Sequence, residues 1–192
     1  MISDRASYRY YLKRDLQAYG FEKLTLYNYL RVDCLRFQRR LRKVEYLFNV
    51  HRKSRLIQLY RVWLEIRNHR LATRLGLTIP KNVFGPGLCI VHHGTIVVNP
   101  EVKVGKNCRI HPSSSIGDYG GVPQLGDNVY IGPGAQLFGD ISIGDNVVIG
   151  ANAVVNKSFP SNVTGAGVPA KTISEQSSLE ADIYPEKFLK NE

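Results

Sequence analysis

The stretch LGDNVYIGPGAQLFGDISIGDNVVIGANAVV, residues 125–155, carries an aliphatic residue at every sixth position: Leu125, Ile131, Leu137, Ile143, Ile149 and Val155. The same beat runs upstream through Val98, Val104, Ile110 and Ile116, with one slip before Leu125. Glycine follows the aliphatic residue in six of these ten units, at Gly105, Gly117, Gly126, Gly132, Gly144 and Gly150. Four residues after most of them stands another small or apolar side chain: Val102, Cys108, Ser114, Val129, Ala135, Ile141, Val147, Ala153 or Phe159. Two inward positions per six residues describe a coil of short strands, in which no single unit buries its own apolar face and stacking supplies the core. Three hexads close a triangular turn of about 18 residues, and successive turns lie about 4.8 Å apart, the spacing of paired strands. The competing reading is an ordinary globular core, against which the regularity of ten units weighs heavily.

Outward from this repeat, composition sets limits. The chain has 192 residues, 43% of them hydrophobic, enough for one good core or two small ones. Cys34, Cys89 and Cys108 have no metal-ligand or redox spacing, and Cys108 falls in an inward lane. The N-terminus lacks the apolar core of a secretion signal and no run of apolar residues is long enough to span a bilayer, so a cytoplasmic location is expected. The net charge of +10 is uneven. Residues 1–75 hold 18 Lys and Arg against 6 Asp and Glu, and the remainder holds 8 against 10.

The basic front segment reads as helical over 4–18, with Asp4 as N-cap and Gly20 as stop, over 25–49, and from Ser54 to Gly76. The last run places Leu59, Trp63 and Ile66 on one stripe. The organisation expected is a basic α-helical segment over 1–76, a parallel β-helix over 77–172 and a polar tail over 173–192. Three uses of the front segment compete. Its arginines and tyrosines suit a nucleic-acid surface, though nucleic acid is not the expected partner. The stretch over 37–55 suits peripheral contact with anionic lipid, with Phe37, Leu41, Val44 and Phe48 dipping inward. The preferred reading is a helical cap that closes the open end of the coil and helps it oligomerise. The nine-residue step from Ile116 to Leu125 ejects a small loop, GDYGGVPQ, from the coil.

The hexads, the stretch HHGTIVVN at 92–99 and the closing GAGVPAK at 165–171 resemble the hexapeptide-repeat acetyltransferases, within them the serine O-acetyltransferase branch and its polysaccharide-biosynthesis relatives. The resemblance covers residues 55–174. It implies a mainly β fold, a left-handed parallel β-helix, a homotrimer, acetyl-CoA as donor and a hydroxyl acceptor. Aligned through Ile96-Val97-Val98, the pattern Asp-His-x-Thr-Gly-Ile-Val sets the catalytic histidine on His92, with His93 as the fallback. The aspartate of that pattern is Val91 here, and a second carboxylate would fall near Leu77. A backbone carbonyl or a carboxylate of another subunit would then orient the imidazole. Acyl transfer needs such a base near neutral pH; His51 and His69, on the helices, read as surface residues.

For the donor, Gly134, Ala135, Ala151 and Gly167 leave room for a pantetheine arm, and Lys171 stands where a phosphate would lie. The loop offers Asp118 and Tyr119 to the acceptor. His93 and His111, eighteen residues apart, stack on one face if the turn is regular, yet they make too small a ligand set for zinc and no metal is expected. Serine-acetylating relatives carry a second histidine in an Arg-His-Pro stretch where this chain reads GGVPQ. With no charged group there for an amino acid, a sugar hydroxyl in polysaccharide or glycolipid assembly is the leading acceptor, serine the alternative, and a non-catalytic scaffold the alternative of another class.

Overall fold

In the computed structural model, residues 1–50, 54–181 and 183–185 are described; His51, read as a surface residue, and the end of the tail lie outside them. Both inward lanes are buried from Val98 to Phe159, including the one polar member, Ser114. Ser114 Oγ donates to the carbonyls of His111 and Gly132, which satisfies a hydroxyl that would be costly to bury alone.

The strands stack into three parallel faces. One holds Leu77–Thr78 (β1), Ile96–Val98 (β3), Ser114–Gly117 (β6), Gln136–Phe138 (β9) and Val154–Val155 (β12). The second holds Lys103–Val104 (β4), Gln124–Leu125 (β7) and Ser142–Ile143 (β10). The third runs through Cys89–Ile90 (β2), Arg109–Ile110 (β5), Tyr130–Ile131 (β8), Val148–Ile149 (β11) and Thr164–Gly167 (β13), and ends with Ala170–Ser174 (β14) folding back antiparallel on β13. Register follows the hexads: Gln124 pairs with Ser142, Tyr130 with Val148 and Gln136 with Val154, each eighteen residues on. The expected parallel β-helix is therefore present. Lys103 pairs with Gln124, a turn three residues longer, because the loop after β6 leaves the coil.

One corner carries a feature that the hexad reading passed over. Asn107, Asn128, Asn146 and Asn162 all adopt positive φ, between 57° and 63°. Asparagine tolerates this left-handed region better than other side chains with a β-carbon. Each side-chain amide donates to the next, Asn107 to Asn128 at 2.7 Å, Asn128 to Asn146 at 2.7 Å and Asn146 to Asn162 at 2.8 Å. Arg14 donates to Asn107 Oδ1 at the head of this ladder at 3.0 Å.

Among the described residues the front segment forms four helices, not three: Arg5–Ala18 (α1), Leu26–Arg31 (α2), Asp33–Val50 (α3) and Arg55–Leu75 (α4). Asp4, Thr25 and Ser54 cap as their types dictate, and Gly76 ends α4 in the left-handed conformation. The run over 25–49 breaks at Val32, whose backbone leaves the helical region (φ −100°, ψ 89°); Asp33 then opens the next helix with an acidic first turn.

Cys34, Phe37 and Leu41 of α3 and Ala72 and Leu75 of α4 join one core with Leu77, Ile79 and Ile90, so the helices close the first turn of the coil. This corrects the lipid reading of the α3 stretch, because Phe37, Leu41 and Val44 are buried in protein. It also corrects the stripe assigned to α4. The buried side is Leu64, Asn68, Ala72 and Leu75, while Leu59, Trp63 and Ile66 face solvent. A buried ionic node ties cap to coil. Arg42 donates to Asp15 at 2.8 Å, to Glu45 at 3.0 Å and to the carbonyls of Phe84 and Gly85, and Asp15 in turn accepts from the N–H groups of Gly87 and Leu88. The described part of the tail also packs back: Ser178 Oγ donates to the Asn128 carbonyl and Tyr184 OH to that of Asn107.

Candidate active site

His92 lies in the corner between β2 and β3, and this corner is longer than the hexad beat allows. Cys89 pairs with Arg109, twenty residues on, but Ile96 pairs with Ser114, eighteen residues on. The two extra residues fall in His92-His93-Gly94-Thr95, so the corner protrudes and both imidazoles are exposed. His93 therefore has no counterpart one turn along, and the expected stacking on His111 does not occur; His111 follows Ile110, which pairs with Ile90.

Backbone contacts hold the protruding corner from three sides. Val91 N–H donates to Ile110 O at 3.1 Å, Gly94 N–H to Leu75 O at 2.8 Å and Ile96 N–H to Gly76 O at 2.9 Å. The C-terminus of α4 is thus stapled to the histidine corner. Gly94 has to be glycine here: its φ is +143°, and a β-carbon would come within 2.8 Å of the Pro112 ring.

The electrostatic neighbours of His92 come from the next turn. Burial first, then the charges of Arg109 and His92, lower the His111 pKa to about 4, which keeps this imidazole neutral near pH 7. Its Nε2 is buried without a hydrogen-bond partner, and the ring tilts on Tyr130 at 5.0 Å. Arg109 donates to Cys89 Sγ at 3.6 Å, yet burial pushes that thiol up to about 12, so Cys89 is not a nucleophile. Val91 and Leu77 supply no carboxylate, and Leu77 is buried core paired with Ile96.

Most of the donor residues singled out from sequence share the histidine's edge. Gly94 packs on Pro112, Gly134 N–H donates to Pro112 O, and Asn152 N–H donates to Pro133 O, so Gly134 and Ala151 occupy the corners directly along the axis from His92. Gly167, paired with Ala170, and Lys171, paired with Ala166, lie on opposite strands of the β13–β14 hairpin beyond them. From the His92 corner to this hairpin is four turn spacings, roughly 19 Å at about 4.8 Å each. Ala135 is a correction: it is fully buried, its N–H is bonded to Gly132 O and its carbonyl to Ser115 N–H, so it offers nothing to a ligand.

Asp118 and Tyr119 are not brought to His92 within one chain. They follow β6 at the C-terminal end of the first face, whereas His92 precedes β3 at its N-terminal end. Asp118 Oδ1 accepts from Gly121 N–H, and Tyr119, 79% exposed, packs edge-on against Phe138. Val122, at the place of the relatives' second histidine, packs against the core.

Nearer the histidine lies a cavity that sequence reasoning missed, about 570 Å³, starting at Gly76 and Thr95 and bounded by α3 and α4. Asn68, His69, Glu65 and Lys81 contribute its polar lining. Asn68 Oδ1 is buried without a partner, and Lys81 Nζ meets Glu65 Oε1 at 2.9 Å. Asn68 stands among the buried positions of α4, and that helical phase was the only available sequence signal.

Residues 123–157 match the family described as bacterial transferase hexapeptide (six repeats). The serine acetyltransferase of Helicobacter pylori strain J99 is 37% identical over 101 residues, covering 50% of this chain and 59% of that protein. The chain thus spans about three-fifths of the length of that curated relative. The crystal structure of serine acetyltransferase from Brucella abortus superposes with a TM-score of 0.71 at 27% identity over 90% of this chain and 71% of that one. A serine acetyltransferase in complex with CoA superposes with a TM-score of 0.70 at 26% identity over 88% and 71% of the two chains.

Proposed function

We propose, from the premise that the chain belongs to the hexapeptide-repeat superfamily in its serine acetyltransferase-like branch, that it is an acetyl-CoA-dependent O-acetyltransferase with His92 as general base. The observation that carries this reading is the protruding His92 corner, stapled to α4 and standing at the head of the edge that holds Gly134, Ala151 and the β13–β14 hairpin. In this reading His92 removes the proton of the acceptor hydroxyl as its oxygen attacks the thioester carbonyl. The C–S bond then breaks and the departing thiolate takes the proton back from the imidazole. Such a base contributes about 10²–10⁴ in rate. A backbone N–H near the corner holds the oxyanion.

Serine is proposed as the acceptor. The similar proteins are serine acetyltransferases, and the cavity beside Thr95 supplies the charges that the loop lacks. Lys81 would meet a carboxylate and Glu65, which keeps Arg61 at 2.8 Å, an ammonium group, the two giving up the ion pair they now share. A sugar hydroxyl is the second reading, favoured by Val122, Tyr119 and Gln124 at a loop with Asp118 as its one charge. A homotrimer belongs to the same proposal: His92 and the Asp118 loop lie at opposite ends of one face and would meet between neighbouring copies.

The experiment is direct. With acetyl-CoA, serine is expected to give O-acetylserine, and His92→Ala to lower kcat by at least ~10²-fold without loss of fold. Acetyl transfer to a saccharide but not to serine would install the second reading. Full activity in His92→Ala would remove the histidine from its role.

A further inference from the structure

The outer side of α4 is divided along its length. Its N-terminal half exposes Leu56, Leu59, Trp63 and Ile66, with 79%, 69%, 49% and 50% of their surface open. Its C-terminal half exposes Arg67, Arg70 and Arg74, which join Arg36 and Arg40 of α3 around a cleft of about 290 Å³. Arg36 is paired with Asp33. Among the described residues no carboxylate lies within ion-pair distance of Arg40, Arg67, Arg70 or Arg74. The four guanidinium groups without an acid partner, beside the Asp33-paired Arg36, repel one another unless an anion sits among them. A second basic cleft, shared by Tyr29, Lys43 and Tyr60, continues the surface towards α2, where Leu26 and Leu30 are also exposed.

We propose that this face binds the surface of an anionic phospholipid bilayer, with phosphate groups held in the arginine cleft and Leu59, Trp63 and Ile66 set into the acyl boundary. Planar guanidinium forks suit phosphate oxygens, and an apolar stripe flanked by basic residues is the composition of helices that lie in the membrane interface. No described helix is long and apolar enough to cross a membrane, so the contact is peripheral. The aromatic groups argue against a nucleic acid. Trp63 is stacked on Tyr60 and carries Arg67 at 4.7 Å, so its ring is engaged on the protein and does not offer the open platform that bases need. The apolar part of this surface is carried by α4 and differs from the α3 stretch, in which Phe37, Leu41 and Val44 are buried. It is independent of the acyl-transfer chemistry.

Trp63 is the only tryptophan of the chain, so its fluorescence reports on this face alone. The intact protein is mixed with vesicles of phosphatidylcholine, or of equimolar phosphatidylcholine and phosphatidylglycerol, and followed by co-sedimentation and Trp63 emission. Binding with a blue shift is expected on the anionic vesicles only, weakening with salt. Arg67→Gln/Arg70→Gln/Arg74→Gln, whose side chains are exposed, is expected to keep the helicity and melting temperature and to bind roughly 100-fold more weakly. Absence of binding to anionic vesicles overturns the proposal, as does equal binding to both kinds. Tighter binding to inorganic polyphosphate or single-stranded DNA than to vesicles, without a shift of Trp63, assigns the cleft to a soluble anion instead. Emission already blue-shifted and shielded from a soluble quencher before vesicles are added assigns the face to another copy of the chain.

Discussion

Replacing Arg42 with methionine tests how the helical cap is held on the coil. The guanidinium is fully buried, and both carboxylates beside it, Asp15 and Glu45, are almost so, at 1% and 2% exposure. Burial alone would lower the Arg42 pKa, but Asp15 and then Glu45 outweigh it and raise the value, so the side chain is charged throughout the accessible pH range. Methionine fills much of the same volume and removes the charge, leaving two carboxylates buried together with the Phe84 and Gly85 carbonyls unpaired. Breaking a buried ion pair from one side costs about 3–5 kcal/mol. Against a typical stability of about 5–15 kcal/mol this is a large fraction. At about 2–4 °C per kcal/mol for a chain of this size, the melting temperature falls by roughly 6–20 °C. Calorimetry or urea denaturation at fixed protein concentration measures it. The same reasoning requires partial rescue when the stranded acids are neutralised. Asn at 15 still accepts from Gly87 and Leu88 N–H, and Gln at 45 still accepts from Asn82 N–H. The triple variant Arg42→Met/Asp15→Asn/Glu45→Gln is therefore expected to be more stable than Arg42→Met alone. A loss below about 1 kcal/mol in the single variant, or a triple variant no better than the single, refutes this account of the node.

Two further outcomes follow from the histidine corner. His111 has its folded-state pKa lowered to about 4 by burial, Arg109 and His92, against an unfolded value of about 6.5. The unfolded chain therefore takes up this proton first, and the contribution of His111 is fully present above about pH 6.5 and is lost as the pH falls towards 4; His111→Phe should flatten that part of the profile in pH-dependent melting, and an unchanged slope would count against it. Gly94→Ala places a β-carbon within 2.8 Å of Pro112 at a φ of +143°, so it should destabilise by about 1–3 kcal/mol and move the His92 corner. Its activity should fall by more than the unfolded fraction explains, which kcat per folded molecule, normalised by near-UV circular dichroism, would show.

The sequence by itself determined the coil. Every lane residue from Val98 to Phe159 lies inside, because each short turn repeats the same local problem, and a six-residue period of aliphatic and small side chains states its solution ten times over. Helix caps were legible for a similar reason: Asp4 and Ser54 act on N–H groups three residues away. His92 was singled out through the HHGTIVVN motif, and Gly134 and Ala151 through the late hexads; their roles belong to the proposed function. What only the tertiary structure decided are contacts between segments with no period in common. The two-residue excess at the His92 corner shows only when β2 and β3 are paired with β5 and β6. The side of α4 that is buried depends on where α3 and the first turn of the coil meet it, and helical spacing fits Leu59, Trp63 and Ile66 as well as Leu64, Asn68 and Ala72. Arg42 finds Asp15 in another helix and Gly85 in the coil, and the cavity at Asn68 and Thr95 exists only between packed elements. Periodicity is written along the chain, whereas these partners are chosen by the shape and charge of surfaces that come together only after the chain has folded.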